Sequence, residues 1–190
     1  MSSLNDDFKE LLERIRRGRE LGHFSYEPIY YLIFPPNRIL DVKRQLPAWT
    51  AKLRNEGWDV TIFSVKKHIS EIFESAPLRK IWLLADSKEP LNWDKTNKSL
   101  ANALAKGAIQ SRLESELANL EGKRSSILLV TDIEAMHPYM RIGAVESQLQ
   151  GKFKIPTIFL YPGKRAGKTL LKFLDFYPDD GNYRSEHVGG

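Results

Sequence analysis

Apolar residues along this chain follow two rhythms. Short, nearly unbroken hydrophobic runs such as Ile29-Tyr-Tyr-Leu-Ile-Phe34 alternate with longer stretches in which leucines and isoleucines recur every three or four positions. The first rhythm marks strands buried on both faces, and the second marks amphipathic helices. Leu4, Phe8, Leu11 and Ile15 begin the series as a helix running to about Gly18, and Ser3 opens a Ser-x-x-Asp approximation to a capping box. Strands are predicted at 29–34, 59–65, 80–85, 126–131 and 157–161. Helices are predicted at about 38–56, capped by Asn37 and kinked or divided at Pro47, then at 67–75, at 97–121 as the longest, and at 138–150. Strands separated by helices argue for a single three-layer α/β/α, Rossmann-like domain over residues 1–190, with a mostly parallel five-stranded sheet. Right-handed crossovers would follow by default. The Pro-, Asp- and Gly-rich tail, about 178–190, is expected on the surface.

Composition narrows the class. With 190 residues, 42% of them hydrophobic and 28% charged, the chain can bury a real core and is not of the disordered type. No run reaches the roughly 18 apolar residues that a membrane span requires, and the first residues lack a signal-peptide pattern. Cysteine is absent, which excludes disulfides, thiolate nucleophiles and cysteine metal sites and fits a reducing cytoplasm. The net charge of +5 is too small to announce a nucleic-acid-binding protein.

Two groups of residues invite chemistry. Gly163-Lys-Arg-Ala-Gly167-Lys168-Thr169 follows a predicted strand, as a phosphate-binding loop would, but three residues separate its glycines where the Walker motif has four. We read it as a basic loop whose Lys164, Arg165, Lys168 and Lys172 are candidate phosphate or DNA contacts. Asp86 and Asp132 each follow a predicted strand, where open α/β sheets bind ligands, and Glu134 and His137 lie near enough to complete a set for a divalent cation. The simpler reading, which we favour, makes both aspartates turn or cap residues. Gly-x-Ser-x-Gly and His-Glu-x-x-His are absent, so no catalytic residue, metal or cofactor is expected. Trp93, in a polar loop, is expected to face a partner.

His137-Pro138-Tyr139-Met140-Arg141, followed by Ile142 to Leu149, Ile155 to Gly163 and a late Tyr183-Arg184, resembles the BrxB family of the BREX bacteriophage-exclusion systems. The resemblance implies a component of a cytoplasmic anti-phage assembly that works beside a PglZ-like phosphodiesterase or nuclease, a DNA methyltransferase and a large ATPase. It implies a non-enzymatic adaptor or regulator that binds the PglZ-like protein. The alternative, from the residues alone, is a nucleotide- or metal-dependent enzyme or a DNA-binding factor using the sheet's crevice and the basic loop 163–172. The family brings no catalytic residues. It marks His137, Pro138, Arg141, Tyr161, Pro162, Gly163 and Arg184 as structural or interface positions. Gly163 would take a positive φ in a turn after Tyr161-Pro162, and Arg141 and Arg184 would act as bidentate donors.

Overall fold

A computed structural model of the chain describes residues 3–20, 27–167, 170–179 and 185–190. Helix α1 (Leu4–Glu20) starts as its pattern predicts: the Asp6 amide donates to the Ser3 hydroxyl at 3.2 Å, and Leu4, Phe8, Leu11 and Ile15 are buried. The parallel sheet is built from β1 (Ile29–Phe34), β2 (Asp59–Ser64), β3 (Ser126–Thr131), β4 (Thr157–Arg165) and β6 (Glu186–Gly189), in the order β2-β3-β4-β1-β6. A short strand, β5 (Leu171–Phe173), runs antiparallel to the end of β4.

Strand alternation sorts the core into two layers. Tyr30, Leu32, Phe34, Ile127, Leu129, Ile158 and Leu160 face α1 and α2 (Ile39–Asn55). Tyr31, Ile33, Leu128, Val130, Phe159 and Tyr161 face the other layer, formed by α3 (Val65–Ser75), α6 (Ala108–Leu120) and α7 (Ile142–Gln148). The expected Rossmann-like α/β architecture with a mostly parallel sheet is therefore present.

Several elements differ from the sequence reading. Residues 80–85 are not a strand: they lie in α4 (Arg79–Lys88), where only Trp82 is buried while Ile81, Leu83 and Leu84 stand more than half exposed. A short apolar run of leucine and alanine does not distinguish strand from helix by periodicity, and these are good helix formers. The fifth parallel strand comes instead from the tail, whose residues 186–189 pair with β1 and bury His187 and Val188. The single helix expected at 97–121 is two, α5 (Asp94–Ala105) and α6, separated at Gly107 with φ +82°. Asn37 lies in a 3-10 turn (Pro36–Arg38) and caps nothing, and α2 continues unbroken past Pro47 because Val42, Trp49 and Leu53 hold it against the sheet.

The turn expected after Tyr161-Pro162 is strand, and β4 runs on to Arg165. Beyond Phe159, the last residue of β4 paired with β3, the strand continues and takes β5 as a neighbour, with Gly163 opposite Phe173. Gly163 does not adopt a positive φ. Its small size serves close approach instead: a Cβ there would collide with the Lys172 carbonyl oxygen and lie 2.7 Å from the Tyr161 ring. Gly163→Ala should cost about 2–4 kcal/mol of stability in urea denaturation. Gly57, whose φ is +86° in open space, should cost only about 1 kcal/mol as alanine, from left-handed strain alone.

His187 packs edge-on against Tyr31 at 5.6 Å, with its Nε2 3.0 Å from the Ser185 hydroxyl. Burial, helped by the Arg165 charge, pushes its pKa down to about 4 from an ordinary value of 6.5. Between those values the unfolded chain binds a proton that the folded chain refuses, so stability rises with pH through this window and is lost as pH falls through it. The melting temperature should drop between pH 6.5 and 4, and His187→Gln should remove that part of the slope.

Candidate functional site: the rings around His137

The residues predicted to matter fall into two clusters. The first lies where β3 ends. Asp132 sits just past it with φ +58°, in the left-handed region that aspartate tolerates better than most residues. Its carboxylate accepts from the Ser64 hydroxyl at 2.6 Å and the Thr131 hydroxyl at 3.1 Å. The Lys43 ammonium, projecting from α2, bridges Asp132 at 2.9 Å and Glu134 at 2.6 Å. Burial pushes the Asp132 carboxyl up, but the Ser64 and Lys43 bonds outweigh it and hold the pKa below the usual carboxylate range. Lysine thus sits between the two carboxylates where the metal reading would put a cation. Among the described residues no group of three or more His, Asp or Glu side chains is arranged to hold a metal. Asp86, the other half of that candidate set, is exposed on α4 and not at the sheet edge, because the strand expected to precede it is helix.

The second cluster gathers His137, Pro138 and Arg141 of the marked positions. The His137–Pro138 peptide is cis, and His137 follows a short 3-10 turn (Ile133–Met136). His137 Nδ1 and the Tyr177 hydroxyl share a hydrogen bond, and the two rings meet edge-to-face at 5.5 Å. The Arg141 guanidinium lies 5.8 Å from the centre of the Tyr177 ring, a cation–π contact. Phe176 packs against Tyr177 at 4.5 Å with the rings tilted by 30° and meets His137 edge-on at 5.4 Å, yet remains 61% exposed. Burial raises the Tyr177 pKa, opposed by the Arg141 charge.

This surface cluster is the outer end of a ring series that starts in the core. Tyr31 stacks on Phe159 at 4.9 Å, and Tyr161 packs against Tyr31 and Phe173, each at 5.6 Å. Phe173 then meets Tyr177 at 5.6 Å. From β1 the Tyr31 hydroxyl reaches across to donate to Glu146 of α7, a buried carboxylate. In the opposite direction along the motif, Tyr139 packs on Phe73 of α3 at 5.5 Å, and Phe73 packs on Trp82 of α4 at 5.8 Å.

Tyr161, Pro162 and Gly163 lie buried in β4 and carry this series rather than lining a loop. Lys164 projects from the hairpin and is tied to Asp175 at 2.6 Å, while Arg165 and Lys172 lie on the paired strands β4 and β5. Lys168, Tyr183 and Arg184 lie outside the described residues. Sequence reasoning missed Lys43, a helix residue with no motif around it, and Phe173, Phe176 and Tyr177. The aromatic cluster Phe173-Leu-Asp-Phe176-Tyr177-Pro178, which repeats the Tyr-Pro of Tyr161-Pro162, was a signal that could have found the last three.

Parallel strands covered on both faces, polar side chains at the sheet edge engaged with one another and a surface patch of braced rings define a Rossmann-like α/β protein. The sequence model of the family described as BREX protein BrxB matches residues 65–188, from the start of α3 to the last sheet strand. The chain belongs to the BrxB family, and so to the components of BREX anti-phage defence systems. No curated protein and no solved structure matches it. Among the described residues no helix is long and apolar enough to cross a membrane.

If the Asp132 network is a structural tie, Asp132→Ala should destabilise the fold by roughly 2–3 kcal/mol, because it strips three partners and leaves alanine in a left-handed conformation. Asp132→Asn should cost clearly less, since asparagine tolerates that conformation and can still accept the two hydroxyls. Chemical denaturation of the two variants checks the order.

Proposed function

We propose that this BrxB protein is a non-enzymatic adaptor of its cytoplasmic defence assembly, and that it holds the PglZ-like component through the surface formed by His137, Pro138 and Phe176. The observation that carries the reading is Phe176. A phenylalanine 61% exposed would normally be free to swing, but this one is gripped by Tyr177 and His137. A large ring held rigid at the surface loses little further freedom on binding, which is how interface anchors concentrate their energy. Arg141 adds a donor at the rim of the same patch. The membership of a multi-component defence family supports a partner inside the BREX system, where the methyltransferase and the ATPase are further candidates.

The opposing reading, a nucleotide- or metal-dependent enzyme or a DNA-binding factor, has less behind it. Lys164 is already paired with Asp175, and Lys43 occupies the space between Asp132 and Glu134. Co-expression with the PglZ-like protein of the same system, followed by size-exclusion chromatography at micromolar concentration, tests the adaptor reading. The wild-type pair should elute together, and Phe176→Asp should separate the two proteins while the melting temperature stays within a few degrees of wild type. Independent elution of the wild-type proteins would overturn it.

A further inference from the structure

Ten large hydrophobic side chains stand exposed among the described residues, and six of them fall between positions 78 and 93: Leu78, Ile81, Leu83, Leu84, Leu91 and Trp93. Their exposure, from 45% for Leu78 to 93% for Leu91, is not the fraying of a loose segment. Helix α4 is anchored from beneath by Trp82, whose indole N–H donates to the Ser99 hydroxyl at 2.8 Å and whose ring meets Phe73 edge-on. Clustered exposure on an anchored element marks a contact surface, whereas scattered exposed apolar side chains mark nothing.

We propose that the outer face of α4, with Leu91 and Trp93 beside it, is a second docking surface for a protein whose contact face is apolar at the centre and acidic at the rim. The charges argue for that occupant. Counting along the helix, Leu84 lies one turn after Lys80 and one turn before Lys88, so both ammonium groups flank the apolar centre. The first turn adds Arg79 beside Lys80 and contains no acidic residue and no side-chain cap. Cations at a helix N-terminus oppose the helix dipole, so folding of α4 does not explain them. An acidic rim would satisfy them.

The same charges disfavour two other occupants. Pairing α4 with a second copy about a two-fold axis sets Lys80 against Lys88 of the neighbour when the helices run antiparallel, and lysine against its own copy when they run parallel. A planar anionic membrane would accept the lysines but could not avoid Glu89 and Asp94, the exposed carboxylates that follow α4.

This surface is distinct from the Phe176 patch, although Trp82, Phe73 and Tyr139 connect the two through edge-to-face contacts. It does not require the PglZ-like protein to occupy the Phe176 patch. The test uses the full chain co-expressed with the other proteins of its defence system, with affinities for each co-purifying component measured on Leu84→Asp, Lys80→Glu/Lys88→Glu, Lys80→Arg/Lys88→Arg and Phe176→Asp. Leu84→Asp and the double glutamate variant should each weaken binding of one component about tenfold or more, while the double arginine variant binds as wild type. All these side chains are exposed, so melting temperatures should stay within a few degrees of wild type.

Retention of every component by both Leu84→Asp and the glutamate variant would overturn the proposal. So would a concentration-dependent dimer in analytical ultracentrifugation that Leu84→Asp dissolves, or binding to phosphatidylserine vesicles that the glutamate variant abolishes. If only Phe176→Asp releases a component, the α4 surface fails and the adaptor reading stands. If only the α4 variants do, the Phe176 assignment fails and this one stands. A wild-type chain that binds no component overturns both.

Discussion

The register between β1 and β4 is the constraint on which the rest of the structure depends. Tyr31 stands opposite Phe159 and Ile33 opposite Tyr161, so their rings and branches fill one face of the sheet together. Because strand side chains alternate, a slip of one residue in either strand would turn its rings toward α1 and α2. From Tyr31 that register reaches α7 through Glu146, β6 through the edge-on ring of His187, and β5 through Tyr161 and Phe173. It explains why a tail lacking any strong strand pattern joins the sheet: the edge of β1 presents a full row of backbone groups, and Val188 finds a buried seat beside them.

The five residues from His137 to Arg141 divide their side chains between two neighbours. His137 and Arg141 hold Tyr177, which belongs to the segment following β5, whereas Tyr139 packs into Phe73 and through it touches the α4 region. One short loop therefore fixes the relative positions of the C-terminal hairpin and the α3–α4 corner. Edge-to-face ring contacts hold that relation with few rotatable bonds. The polar cluster around Asp132 does comparable work deeper in the sheet edge, tying α2 and α3 to the end of β3.

What the sequence alone determined was the part written in local periodicity. The uninterrupted runs at 29–34, 126–131 and 157–161 can be satisfied only by burial on both faces, which already implies helices above and below a parallel sheet. The Ser3 cap and the stripe of α1 are equally local. The His-Pro-Tyr-Met-Arg segment was legible as a family motif, though nothing local said what its side chains touch. Tertiary structure decided whatever depends on a neighbour distant in sequence. Ile81-Trp82-Leu83-Leu84 is hydrophobic enough for a strand, yet becomes a helix because only Trp82 finds cover. Gly163 looked like a turn glycine, but is required by the carbonyl of Lys172 across the hairpin. Lys43 and Tyr177 joined the two side-chain clusters only when α2 met the end of β3 and the chain after β5 folded back over His137. Periodicity records which side of an element must leave water, but not which partner arrives there, because that choice is made by packing between segments far apart in the chain.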